Sequence, residues 1–202
     1  MPENNQSLPP AAVVVRSRVA DFDTWLRAFD SHEDARRAAG GLGHHINRGE
    51  DDPNDISVYM AVSDLDQAKA FSASDDLRQR MQEAGVISVP EITYMTPVRE
   101  ALVWDRELPA FILSHSVADF DRWLEGYDDA ADLQAAEGIV GHAANRSIDD
   151  PGVAIVYHQA ESFDTLRAFL ANGKLQAKMQ EAGVLSAPDV HFVTGGWAKQ
   201  YG

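Results

Sequence analysis

The eight residues "VADFDTWL" at positions 19–26 return as "VADFDRWL" at 117–124. Sliding the chain by 98 residues aligns its two halves without a gap. About 35 of the 85 positions from Ala12 to Thr96 match their counterparts. "NR" recurs at Asn47 and Asn145, "DDP" at Asp51 and Asp149, and "MQEAGV" at Met81 and Met179. A period this long with two copies is a duplicated domain, because a solenoid needs many short repeats. The chain therefore reads as a tail (1–10), a first repeat (11–98), a connector (99–109, "REALVWDRELP"), a second repeat (110–196) and a short C-terminal tail (197–202).

Each repeat reads the same way. "AAVVVRSRV" and "AFILSHSV" are β-rich runs and open the two copies as strands. "DFDTWLRAFDSHEDARRAAG" then starts on an aspartate suited to an N-cap. It sets Phe22, Trp25, Leu26 and Phe29 at helical spacing and stops at Gly40. "HHINRG" and "ISVYMAV" flank "EDDPND", a turn sequence, and form a hairpin. "DLDQAKAFSASDDLRQRMQEAG" predicts a second amphipathic helix, ended by Gly85 in the left-handed conformation, as Gly183 ends its copy. "EITYMTP" is the closing strand. The order βαββαβ is the ferredoxin-like motif, so the fold class is α+β with two tandem units. One such unit covers only one face of its sheet with helices. The second copy is expected to cover what the first leaves exposed, sheet against sheet.

These blocks resemble the dimeric α/β-barrel superfamily, and within it the small antibiotic-biosynthesis-monooxygenase-like proteins and those labelled "cyclase". The resemblance spans about residues 12–98 and 110–196. It implies that two units ordinarily supplied by a homodimer are fused here into a monomeric pseudo-dimer, with further homodimerisation left open. The superfamily hosts cofactor-independent oxygenases, cyclases, isomerases and haem-handling enzymes, so the resemblance speaks to fold more than to reaction.

Composition narrows the function classes. The formal charge of −15 argues against a nucleic-acid partner. No apolar run reaches the roughly 20 residues of a membrane helix. "MPENNQSLPP" lacks the features of a signal peptide, and the absence of cysteine removes disulfides and thiolate metal sites. Together these suggest a cytoplasmic setting. No P-loop, GxGxxG or HExxH occurs. The repeated "DDP" reads as a hairpin turn. Asp21, Asp23, Asp119 and Asp121 read as helix starts.

The histidines carry the chemical interest. The second copy supplies His115, His142, His158 and His191, one on each expected strand; the first copy has Ser17, His44, Met60 and Thr93 there. Strand parity puts His115 with Phe111, Leu113 and Val117, and His158 with Ala154, Val156 and Ala160. Both are apolar faces expected under the helices, on strands expected to be neighbours. A buried neutral imidazole suits a general base. His115, His158 and His142 are therefore the catalytic candidates. Arg146, Tyr157, Trp123, His191, His32, His44 and Tyr59 are the candidate substrate-binding residues. Arg48 and Arg146 could hold an enolate oxygen or simply pair with "DDP". The resemblance adds that histidine is common at the positions of His115 and His32. This chain splits that pair, with Ser17 beside His32 and Ala130 beside His115.

Two readings follow. One is an enzyme removing a proton from an apolar, oxygenated, aromatic or polyketide-like small molecule, followed by oxygenation or cyclisation without a cofactor. The other is a non-catalytic barrel that binds a ligand, a haem or a transition metal.

Overall fold

The computed structural model describes residues 8–202; most of the expected N-terminal tail lies outside the described residues. The first repeat contains β1 (Ala11–Arg18), α1 (Phe22–Ser31), α2 (Glu33–Ala38), β2 (Gly41–Gly49), β3 (Asp55–Val62), α3 (Leu65–Ser72), α4 (Asp75–Glu83) and β4 (Glu91–Ala101). The second contains β5 (Leu108–Ser116), α5 (Phe120–Asp128), α6 (Ala131–Ala136), β6 (Ile139–Ser147), β7 (Val153–Ala160), α7 (Phe163–Leu170), α8 (Gly173–Glu181) and β8 (Asp189–Gln200).

The expected strand order is present, but each long helix is broken in two. α1 ends at His32, whose φ of −105° and ψ of 20° leave the helical region, and α2 restarts at Glu33. α3 ends before Ser74, which accepts a hydrogen bond from Leu77 N and caps α4. Short polar residues compete for backbone hydrogen bonds, so "SAS" is a natural break. The caps read from the sequence hold. Asp21 accepts from Thr24 N at 2.8 Å and Asp119 from Arg122 N at 3.0 Å. Gly40, Gly85, Gly138 and Gly183 all have φ near +85°, the left-handed helix stop. "DDP" is the hairpin turn: Asp52 accepts from Asn54 N and Asp150 from Gly152 N.

Two compact units result. One comprises Pro9–Tyr94 with Gly195–Gly202, and the other contains Met95–Thr194. In the first the strands lie in the order β1-β3-β2-β8, and in the second β5-β7-β6-β4. The chain changes unit inside β4 and inside β8 rather than in a connector. β4 runs on to Ala101, so the expected connector 99–109 shortens to residues 102–107. The expected C-terminal tail 197–202 also carries structure. β8 reaches Gln200, Trp197 packs on Phe22 with ring centroids 4.9 Å apart, and Tyr201 N donates to Leu42 O. Gly195 permits this, since a Cβ there would lie 2.6 Å from Asn47 Oδ1 and from His45 Nε2.

In each unit the helices pack on one sheet face. The first core joins Val19, Phe22, Trp25, Ile46, Ile56 and Val58. The larger second core joins Phe111, Leu113, Trp123, Val156, Leu166 and Phe169 among others. Among the described residues no helix is long and apolar enough to cross a membrane.

Candidate functional site

The same place in each unit, between the first and third strands and the helices, contains a cavity. The two differ fivefold in size. In the first unit it is about 300 Å³, within the range of ligand pockets. In the second it is about 60 Å³, room for about two waters.

The repeat explains the difference residue by residue. Val13, Ser17, Met60 and Ser72 line the first cavity, and Phe111, His115, His158 and Leu170 stand 98 residues later in the second. Three of these four exchanges add bulk. Phe111 is fully buried and stacks its edge on His158 with ring centroids 5.1 Å apart. The second repeat has thus filled with aromatic and imidazole rings the space the first keeps open.

Of the histidines favoured by sequence, His115 and His158 line this filled cavity, and His142 does not. The parity reading holds: His115 and His158 both face the helices, on paired strands. The register, however, pairs His158 with Phe111 and His115 with Ala154. Four residues along β5 separate them, about 13 Å, so they do not form a dyad. His158 Nε2 lies 3.3 Å from Tyr127 Oη, which also meets His142 Nδ1 at 3.0 Å. His115 lies edge-on to Trp123, and neither of its ring nitrogens has a hydrogen-bond partner; His158 Nδ1 has none either. Burial pushes the imidazoles of His115 and His158 down to about 4 and about 3, and lowers that of His142. The rings of His115 and His158 are neutral and desolvated, beside a space of about 60 Å³ that is too small for a substrate-sized molecule.

The remaining expected binding residues scatter. Trp123 lines the small cavity. His191 pairs with Asp189 at 2.9 Å, away from both cavities. Tyr59 and Tyr157 line neither cavity, since their parity is opposite to that of Met60 and His158. Arg48 and Arg146 also stay outside. Each donates its Nε to the turn carbonyl of the "DDP" proline, Pro53 or Pro151, and lies over Phe22 or Phe120. The expected pairing of these arginines with "DDP" is thus made to its backbone.

Of the sequence candidates, His32 lies at the open cavity. Val13, Val15, Trp25, Phe29, Val58, Met60, Phe71, Leu77 and Met81 give the cavity its apolar wall. The polar side chains are Ser17, His32, Arg36, Ser72, Arg78 and Arg80. Arg80 donates Nη1 to His32 Nε2 at 2.5 Å and Nε to Asp76 at 2.8 Å. A guanidinium only donates, so Nε2 accepts and His32 is neutral with its proton on Nδ1. Arg78 is exposed and Arg80 partly exposed, and both stand at the rim.

Arg36 lies at the buried end and was not singled out by sequence. It is 4% exposed. Its Nε donates to Tyr201 Oη at 2.8 Å, its Nη1 donates to Phe29 O, and its guanidinium lies 3.6 Å over the Phe29 ring. Tyr201 Oη also meets His44 Nδ1 at 2.8 Å. Because the oxygen accepts from Arg36, its hydrogen goes to His44. Burial, with Arg36 nearby, lowers the His44 imidazole to about 4, which keeps it the acceptor. His44 thus acts one residue back from the cavity, through Tyr201 and Arg36.

Trp25, Phe29, His32 and Arg36 follow the i, i+4, i+7, i+11 helical stripe, the signal that could have marked Arg36. Nothing comparable announced Tyr201, which reaches the site only because β8 continues. Among the described residues no group of three His, Asp or Glu is placed to hold a metal ion. His32 is the one imidazole among the described residues lining the open cavity, and its Nε2 accepts from Arg80.

No family model and no curated protein matches the sequence. Solved structures do. A proposed monooxygenase of Lactobacillus acidophilus is 13% identical, over 95% of this chain and 96% of that one, with a TM-score of 0.66. An anthrone oxidase-like protein is 11% identical over 94% and 92%, with a TM-score of 0.67. A heme-degrading enzyme of Listeria monocytogenes is 8% identical over 89% and 97%, with a TM-score of 0.51. At these identities the likeness shows the fold alone, a pair of ferredoxin-like units.

Proposed function

We propose that the chain is a cofactor-independent monooxygenase acting in the first-repeat cavity on a small, largely apolar substrate with an acidic C–H next to a carbonyl. The observation that carries this reading is the 300 Å³ apolar cavity with a neutral imidazole and a buried guanidinium on its wall. The names of the structural neighbours give the reaction class its starting point.

His32 is the base. Its Nε2 lone pair is held by Arg80, so Arg80 must swing toward Asp76 for the proton to be taken. The proton leaves carbon for Nε2, and the electron pair spreads onto the carbonyl oxygen. Dioxygen adds to the carbanion and is protonated to a hydroperoxide, which loses water: CH₂ + O₂ → C=O + H₂O. The apolar wall keeps bulk water from the carbanion. The enzyme has no need of a redox group, because the substrate supplies the electrons.

Oxygen consumption with anthrone as the probe tests this reading. The wild type is expected to consume one O₂ per ketone formed, and His32→Ala to lose most of the rate while binding the probe unchanged. Anthrone bound without oxygen uptake would leave a binding protein instead.

A further inference from the structure

Arg36 is a buried cation without a matching anion. Two of its three nitrogens are used, one by Tyr201 and one by the Phe29 carbonyl. Its Nη2 is buried and has no hydrogen-bond partner. Among the described residues no carboxylate lies within ion-pair distance of it. Glu33, the carboxylate that feels its charge, is engaged by Lys199 and Arg37. A desolvated guanidinium N–H with no acceptor is costly, and an anionic oxygen in the cavity would relieve it.

The repeat strengthens the point. The residue 98 positions on is Gln134, equally buried, on the wall of the filled cavity. The positive charge occurs where the cavity is open, and a neutral amide where it is closed. Arg36 is also held in place. Tyr201 fixes Nε, the Phe29 ring lies under the guanidinium plane, and Gly41 leaves the space, since a Cβ there would approach Arg36 O to 2.7 Å and the Tyr201 ring to 3.2 Å.

We propose that the first-repeat cavity is an organic-anion site, in which Arg36 Nη2 receives a carboxylate or an equally acidic enolate or phenolate oxygen of a flat apolar ligand. This deepens the function proposed above and rests on the same cavity being the binding site. The ring system lies against Trp25, Phe29 and Phe71, and the anionic oxygen points to the buried end. Charge here selects the ligand, and the rim arginines, each already paired with an aspartate, do not.

The test compares 2-naphthoate with 2-naphthamide, which have nearly the same shape and differ in charge. Binding at pH 7 is followed by calorimetry or by the fluorescence of Trp25. The wild type is expected to bind the carboxylate on the order of 10- to 100-fold more tightly than the amide. Arg36→Gln, which installs the second-repeat residue, is expected to abolish the preference and leave amide binding in place. Arg78→Gln is an exposed change and is expected to keep it; it decides the assignment even if Arg36→Gln fails to fold. Equal binding of the two probes by the wild type would overturn the anion inference while leaving the cavity reading intact. Preference retained in folded Arg36→Gln, or lost in Arg78→Gln, would overturn the assignment to Arg36. Binding of neither probe at millimolar concentration would overturn the cavity reading, and this inference with it.

Discussion

Replacing His115 by leucine should make the protein less sensitive to acid without weakening it at neutral pH. His115 is 6% exposed, both ring nitrogens lack partners, and burial holds its imidazole at about 4 rather than 6.5. The folded pKa is lowered, so the unfolded chain takes up the proton first. Stability contributed by the neutral ring is therefore present above about pH 6.5 and is lost as pH falls toward 4. At pH 5 an unfolded-state imidazole is almost fully protonated and the folded one almost fully neutral. The difference integrates to about 2 kcal/mol at this one site. Leucine removes the titration. It also breaks no hydrogen bond and has a similar volume beside the small residual cavity. Urea unfolding at pH 7 and pH 5 measures the effect. His115→Leu should match or exceed wild type at pH 7 and lose about 2 kcal/mol less than wild type on going to pH 5. Equal losses in the two proteins would show that His115 is solvated or partnered, and would undo the picture of a filled second cavity.

Other perturbations separate the remaining parts of the account. Phe111→Val should cost about 2–4 kcal/mol in urea unfolding, because it reopens a packed cavity around His158 and Phe169. Tyr201→Phe removes a hydroxyl that accepts from Arg36 and bonds His44, and should cost about 1–2 kcal/mol by the same measurement. Cutting the chain between residues 103 and 104 separates each compact unit from a strand segment it uses: Met95–Ala101 for one and Gly195–Gln200 for the other. Neither piece alone should give a folded monomer by circular dichroism and gel filtration, whereas mixing the two should restore structure.

Much of the architecture was legible because backbone rules and patterning act locally. The 98-residue offset, the aspartate caps, the terminating glycines and the "DDP" turns each fix a short segment by its own chemistry. Strand parity correctly put His115 and His158 under the helices. It could not give their separation, which depends on register between strands far apart in sequence. The second repeat is expected to end at residue 196, yet β8 runs on to Gln200. Only the close approach of Asn47 and His45 to Gly195 makes glycine a requirement there. Which repeat keeps the larger cavity was less legible for a related reason. Counting histidines favoured the second repeat, yet imidazoles are bulky, and with Phe111 and Leu170 they occupy the volume a ligand would need. Comparing side-chain sizes at Val13 and Phe111, or Ser17 and His115, would have shown which copy stays hollow. The buried charge of Arg36 would then have stood out against Gln134.

One repeat keeps a pocket of about 300 Å³, and in the other the same place is filled down to about 60 Å³. Calorimetric titration with 2-naphthoate, on wild type and on Val13→Phe, tests this difference most directly. One binding site per chain, lost when the first repeat receives the phenylalanine of the second, is the expected result. Two sites per chain, or binding untouched by Val13→Phe, would contradict it.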